Sequence, residues 1–494
     1  MLAFLATQAI AAATKPTTTD IQWLNRITFG VDSATLARFQ QLGRARFLDE
    51  QLAAMNEALP PPIAATIGQF EVERTPSSDL VREASTQQQH IRAMPDGEAK
   101  IAARKALRQH GQQLAYQTTS AEMLRAIYSP AQLKEQMIWF WLNHFSVFEN
   151  KANLRWLVAD YSARAIRPHA LGHFRDLVMA TLTSPAMLQY LDNARNANGH
   201  ANENYARELM ELQTLGVGAG YTQTDVQQLA RILTGVGVNF SDRTPHLKPQ
   251  WQALYVRDGL FEFNPARHDF GDKVLLGHTI NGSGFDEVKQ AVDLIVRQPA
   301  CAQFVSRKLA TYFVADEPPP ALVKRMAKTF QRSDGDISAV LRTLFESIEL
   351  EQSLGKKFRD PMQYIVASMR LAYDAHPITN PRPIINWLRV LGEPLFGHLA
   401  PDGYAMGESA WSGSGQISRR FDIARAIGSG KSKLFDGNDA NSAPAATVPQ
   451  LSSKLYHAAI EPHLSAPTKA ALARAESQVE WNTFLLASPD VNYR

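Results

Sequence analysis

One block limits what this chain can fold into: Asn202-Glu-Asn-Tyr-Ala-Arg-Glu-Leu-Met-Glu-Leu-Gln-Thr-Leu-Gly-Val-Gly218, with Gly220-Tyr-Thr-Gln-Thr-Asp225 directly behind it. At 100° per residue from Asn204, Tyr205, Ala206, Leu209, Met210 and Leu212 share one arc. Glu203, Asn204, Arg207, Glu208 and Glu211 occupy the opposite arc, with Leu215 the single apolar intruder. Asn202 suits an N-cap and Glu203 the first turn, while Gly216 and Gly218 are stop signals. Thr222 and Asp225 have capping-box spacing for a second helix running through Val226, Leu229, Ile232 and Leu233 to Gly235. The block therefore predicts helix, glycine-rich turn, helix.

Two readings fit its polar face. One is a solvated ladder of i,i+4 pairs, Glu203–Arg207 and Arg207–Glu211. The other is a cleft wall, where Glu208 and Glu211, three residues apart, converge on one site. Arg207 would keep one carboxylate ionised while a desolvated partner works as acid. Glu208 has no i,i+4 cation, since position 212 is Leu and position 204 is Asn.

Helical periodicity dominates the rest of the chain. It covers Asp20–Gly30, the polar stretch Ser78–Tyr116 broken near Pro95-Asp-Gly97, the Trp-rich run Pro130–Phe148, residues 152–190, and Phe285 to about His376. One β signal stands out: Leu254-Tyr-Val and Leu260-Phe-Glu-Phe263 flank Arg257-Asp-Gly259. The expected fold is all-α, a large multi-helix body with one small hairpin near 254–263. Its parts are an N-terminal segment 1–19, a main helical domain 20–375, and a C-terminal helical part 376–494 packed on it. A loop at 430–447 reads as mobile.

Composition narrows the function. The net charge of +3 and the absence of a Lys/Arg run give no nucleic-acid footprint. Cys301 is the sole cysteine, so no intrachain disulfide or cysteine zinc set can form. Its neighbours suit a buried, inert thiol. Met1–Ala13 is apolar and Ala-rich, with Ala11-Ala-Ala13 as a small-residue cleavage site but no preceding basic residue. It reads as the remnant of an export signal or as a disordered N-terminus, and the first reading predicts a periplasmic or secreted protein. No other stretch is long and apolar enough to span a bilayer.

Other candidate groups lie outside the acidic helix. His144 ends the Trp-rich helix beside Asn143. It reads either as a core residue or as a general base or metal ligand. Lys151 downstream suits anion binding or a surface charge. His268-Asp269 sits in an irregular segment, where it makes a turn or an acid/base pair with a carboxylate from elsewhere. Asn193, in the amide-rich loop 192–202, suits sugar hydroxyls, a hard cation or simple capping. A divalent metal held among His144, Glu208, Glu211, His268 and Asp269 is one option. However, His-Glu-x-x-His, EF-hand, phosphate-loop, nucleophile-elbow and dinucleotide motifs are all absent.

Several separated motifs resemble the bacterial family named domain of unknown function 1800. They are Leu24-Asn-Arg-Ile-Thr-Phe-Gly30, Trp139-Phe-Trp-Leu-Asn-His-Phe145, Asn202–Gly218 with Tyr221–Asp225, and Ala230-Arg-Ile-Leu-Thr-Gly235. His268-Asp269 before Lys273-Val-Leu-Leu-Gly277, Lys308-Leu to Pro318-Pro319, Pro401-Asp-Gly-Tyr404 before Trp411, and Leu485-Leu-Ala-Ser-Pro489 follow in order. Tyr404 stands where many members carry Trp. The resemblance implies an exported, largely helical protein without an assigned reaction. It also implies gene neighbours from an exported family, domain of unknown function 1501, that is similar to sulfatases. Two functions follow as expectations. The first is a hydrolase or lyase of an extracellular polymer, with Glu208, His144, His268 and Glu211 catalytic and Arg207, Asn204, Asp269, Asn193 and Lys151 binding. The second is a non-catalytic assembly partner of the sulfatase-like neighbour.

Overall fold

The computed structural model describes residues 16–241, 243–374, 376–435 and 448–494. The expected leader at Met1–Ala13 and most of the loop expected at 430–447 lie outside the described residues. The architecture is all-α, 63% helix against 5% strand. One continuous hydrophobic core joins side chains from Ile21 to Val491.

The elements that position the site are few. Helix α1 (Thr18–Ile27) starts at a capping box between Thr17 and Asp20. Helix α2 (Gln132–His144) is the Trp-rich run and is buried almost all round. Helices α3 (Phe174–Leu182) and α4 (Pro185–Tyr190) lead into the amide-rich loop. Helix α5 (Glu203–Glu208) is the acidic block, with Asn202 Oδ1 capping the Asn204 N–H at 3.0 Å. It continues as a π-turn, Leu209–Thr214. Helix α6 (Gln223–Ile232) opens on the expected Thr222–Asp225 capping box. Helices α7 (Phe285–Val296) and α8 (Pro299–Phe313) follow, and α9 (Pro361–Tyr373), α10 (Ser414–Gly428) and α11 (Gln478–Ala487) complete the frame.

The π-turn corrects the helical wheel. A constant 100° per residue leaves Leu215 on the polar arc. Six residues of wider winding turn Leu215 into the core instead, where it is buried.

The β content is larger than the single hairpin expected. The hairpin forms as β2 (Val256–Asp258) and β3 (Phe261–Phe263), and β1 (Val236–Val238) joins the other edge of β3, all antiparallel. A second hairpin pairs β4 (Lys273–Leu275) with β5 (His278–Ile280). Its two-residue turn holds Leu276 and Gly277 at φ 50° and 79°. That is the positive-φ pair a tight hairpin turn needs, yet Leu at the first position hides the signal that Asn or Asp would give.

A buried ionic network staples this β region to α7. His268 Nε2 and Lys273 Nζ meet the two oxygens of Glu287 at 2.8 and 2.6 Å, and all three side chains are shut off from solvent. The Ser283 and Gly284 N–H groups donate to Glu287 Oε1 at 2.7 and 2.9 Å. Burial opposes the charge on Glu287, but these donors hold its carboxyl below the usual range. Glu287→Ala leaves a histidine and a lysine buried without their anion. The expected loss is about 3–5 kcal/mol, read from chemical denaturation against wild type. A loss under about 1 kcal/mol would show that the network does not staple the region.

Candidate functional site

The acidic face of α5 is bridged rather than laddered. Arg207 reaches Glu211 at 3.3 Å, as the spacing predicts. Glu203, however, accepts from Gln223 Nε2 at 2.6 Å, and Arg207 donates to Gln223 Oε1 at 2.7 Å. Gln223, from α6, thus takes the place of the expected Glu203–Arg207 pair. Glu208, at the last position of α5, has no hydrogen bond or ion pair among the described residues. It is half-buried. Burial, then the neighbouring charge of Glu211, raise its carboxyl pKa; Arg207 opposes and Asp402 adds to the rise.

Asp402 marks the other side of the site. It lies in the loop Pro401-Asp-Gly-Tyr404, which docks on the C-terminal end of α2. Asn143 Nδ2 donates to the Tyr404 carbonyl at 2.9 Å, and the Tyr404 N–H donates to Asn143 Oδ1 at 2.6 Å. Gly403 sits at φ +74°, and a side chain there would overlap the Asn143 carbonyl. Only glycine allows this double pairing, because the backbone needs both the left-handed conformation and the room. Tyr404 anchors the loop further by donating its hydroxyl to the Pro394 carbonyl at 2.8 Å. His398 Nε2 pairs with Asp402 at 2.8 Å.

Lys308 of α8 supplies the third component. Its amine lies 5.5 Å from the Phe304 ring centroid and has no carboxylate within ion-pair distance among the described residues. Burial pushes it down to about 8, against the charge of Asp402. Tyr190, at the end of α4, closes the group. Its hydroxyl donates to the Leu399 carbonyl at 2.7 Å. Burial first, then the charges of Glu208 and Asp402, push it up to about 12. Lys151 lies on Tyr190, 5.6 Å from the ring centroid, and pairs with Asp192 at 2.7 Å.

The other expected residues occupy different settings. His144 is buried, and its Nε2 donates to the Gln213 carbonyl at 2.9 Å. Its Nδ1 has no partner, and Phe140, Trp141 and Phe145 pack around the ring. Burial and then the charge of Lys308 hold it neutral, well below the usual histidine range. His268 belongs to the Glu287 network and shares no partner with His144 or Glu208. Asp269 pairs with Arg231 at 2.8 Å. Asn193 is buried and donates to the Val236 carbonyl at 3.0 Å, stitching the amide loop to β1. Asn204 is exposed beside the acidic face. No group of three or more His, Cys, Asp or Glu side chains among the described residues is arranged to hold a metal ion.

Lys308, Asp402, His398 and Tyr190 are the site residues that sequence reasoning missed. Lys308 and Asp402 lie inside motifs that were recognised, but nothing local marks them. Their importance comes from approach across 94 residues of chain, from 308 to 402.

Fold and site together define a large all-α protein carrying an unpaired carboxylate and an unpaired amine around one aspartate. The chain belongs to the family described as "Protein of unknown function (DUF1800)", whose model matches residues 22–493. No curated protein and no solved structure matches it.

The lowered amine gives a prediction. The folded chain releases the Lys308 proton near pH 8, whereas an unfolded lysine holds it to about 10.4. The unfolded state therefore binds more protons between these values, so this group makes stability rise with pH across that window. Competitive acetylation as a function of pH should find one lysine with a midpoint near 8, and Lys308→Met should remove it. A Lys308 midpoint above about 10 would refute the assignment.

Proposed function

We propose that this protein is an acid/base enzyme, a hydrolase or lyase of an extracellular polymer, with Glu208 and Lys308 as its reacting pair. One observation carries this reading: a half-buried carboxylate and a half-buried amine, both without a charged partner in contact among the described residues, feel the same aspartate. Structural charges inside proteins are paired, as Glu287 is, so unpaired ones mark a place kept for a substrate.

Protonation states assign the roles. At neutral pH Lys308, held near 8, is largely protonated, and the Glu208 carboxylate is the base of the pair. Glu208 therefore takes a proton, from water in hydrolysis or from carbon in elimination. Lys308 gives one to the departing oxygen. Asp402 holds the amine in its charged form, and His398 fixes Asp402. Arg207, Glu211, Asn204 and Lys151 lie around this face as substrate contacts. His144, behind Lys308, keeps the amine's surroundings apolar and uncharged. Asp402 has 61% of its side chain exposed, and the open setting suits a long substrate passing over the surface.

The test uses a panel of polysaccharides and peptides. Glu208→Gln should lower kcat by about 100-fold or more with an unchanged circular dichroism spectrum. The rate should be bell-shaped in pH, with its alkaline limb near 8, and Lys308→Arg should move that limb upward. Turnover at the wild-type rate by folded Glu208→Gln would sink the proposal.

One feature favours a second reading. Leu399, between His398 and Asp402, is 72% exposed. An apolar tip beside a charged face suits docking of another protein, here the exported sulfatase-like neighbour, with no catalysis by this chain. Wild-type inactivity on every substrate, together with Leu399-dependent binding of that neighbour, would favour it.

Location belongs to the same proposal. No helix among the described residues is long and apolar enough to cross a membrane, and the Ala-rich start fits an export signal. Fractionation of the native host should recover the protein outside the cytoplasm with its first residues removed. Recovery in the cytosol alone would refute export and, with it, an extracellular substrate.

A further inference from the structure

A cavity of about 710 Å³ lies away from the Glu208 face. It opens between α3, the start of α4, the β2–β3 hairpin and a second π-turn, Tyr161–Ile166. Its volume is within the range of small-molecule sites. One wall is apolar, built from Met179, Ala180, Leu260, Phe261 and Phe285.

Two polar side chains in this cavity lack a hydrogen-bond partner among the described residues. Ser184 is the N-cap residue of α4, a position where serine normally bonds the helix N–H groups. Its hydroxyl makes no such bond. The residue is 6% exposed, and Oγ is buried without any hydrogen bond. A buried hydroxyl left unbonded is costly unless something fills its need. Asp160, which leads into the π-turn, is the other. Its carboxylate accepts no hydrogen bond among the described residues. Arg164 stands 3.8 Å away and is shared with Asp258 at 3.6 Å. Both separations exceed hydrogen-bond length, so one guanidinium faces two carboxylates and bonds neither. Burial, and after Arg164's opposing effect the charge of Asp258, leave the Asp160 carboxyl raised. Asp176, also on the wall, meets Arg175 at 3.4 Å, a guanidinium that also pairs with Asp293 at 2.5 Å. His169 is held below its usual range by burial and adds little positive charge. The balance at the cavity mouth is negative.

We propose that this cavity is a second binding site, for a small organic cation whose ammonium meets Asp160 and whose apolar body lies against Phe261 and Phe285, within reach of the Ser184 hydroxyl. A cation supplies the hydrogen bond that Arg164 does not give Asp160, and it relieves the second carboxylate. A neutral ligand of the same shape gains the apolar contact alone; an anion meets two carboxylates. The site is separate from the Glu208 face: the two lie at opposite ends of α4, a helix of six residues and about 9 Å. It stands whether or not that face is catalytic.

The experiment is calorimetric titration of the full chain with 2-phenylethylamine, 2-phenylethanol and 3-phenylpropanoate, followed by two variants. The amine should bind at least about tenfold more tightly than the alcohol, and the acid not at all. Asp160→Asn should remove the preference for the amine by bringing the two affinities together. Ala180→Phe, which fills the cavity from its apolar wall, should abolish binding of both. Thermal melts confirm that each variant is folded, and Ser184→Ala serves as a third variant if Ala180→Phe is not. It should weaken the amine several-fold without loss of stability, since the hydroxyl supports nothing in the fold. Failure of the amine to bind wild type, equal binding of amine and alcohol, or an amine preference that survives Asp160→Asn would each overturn the proposal.

Discussion

Buried guanidinium groups set the frame on which everything else hangs. Arg26 of α1 donates to the Ser353 carbonyl at 2.7 Å, to the Arg494 carbonyl at 2.5 Å, and to the Phe313 carbonyl at the end of α8. Arg494 reaches Gln136 of α2 at 2.7 Å and the Tyr312 carbonyl at 2.8 Å. Arg420 of α10 donates to the Arg359 carbonyl at 2.7 Å, and Arg359 to the Phe29 carbonyl at 3.1 Å. Helix ends leave carbonyls without intrahelical partners, and a five-donor fork satisfies several at once. Segments more than 450 residues apart, Arg26 and Arg494 among them, are thereby held together inside the core. The site inherits its geometry from this frame. Arg26 fixes the end of α8 and so the height of Lys308. Lys357 donates to the Met406 carbonyl at 2.8 Å and pairs with Asp316, which also accepts from the Glu408 N–H at 2.6 Å. The loop that carries Asp402 is moored from both sides.

The polar groups of this protein divide by whether their needs are met. Glu287 receives four donors, and Asn193 and Asp269 are bound within the fold. Such residues stabilise. Glu208 and Lys308 have no charged partner in contact, and Asp160 and Ser184 no hydrogen bond, among the described residues, and in a well-packed protein that condition is costly. The two sites proposed above rest on their separation into two places.

How much of this was legible in the sequence depended on range. Caps and periodicity are local, so the Thr222–Asp225 box, the Asn202 cap and the hairpin around Arg257-Asp-Gly259 read correctly. The β4–β5 hairpin escaped because Leu276 adopts a backbone conformation its side chain does not advertise. Glu208 was legible as a carboxylate lacking a helical cation, since that is a statement about positions 204 and 212. What surrounds it was not: Asp402 and Lys308 arrive through tertiary packing. The roles of His144 and His268 were open for the same reason. Phe140, Trp141 and Phe145 beside His144 are local, but Phe174 and Phe304, which complete its aromatic cage, and Glu287, which meets His268, lie too far along the chain to be read.

The π-turn after Glu208 has a consequence best put as phase. A π-turn is an α-helix that has taken in an extra residue, so the rod before it and the rod after it are out of step. Up to Glu208 the winding keeps the acidic arc outward; beyond Thr214 it has slipped enough to turn Leu215 inward. Winding the same residues at a constant 100° would add about one residue's turn between Glu208 and Leu215. Leu215 would then swing to the surface, and the Gly216 turn, packed against Phe304 beside Lys308, would be aimed elsewhere. The arrangement of this face is therefore encoded in a count of residues as much as in their kinds.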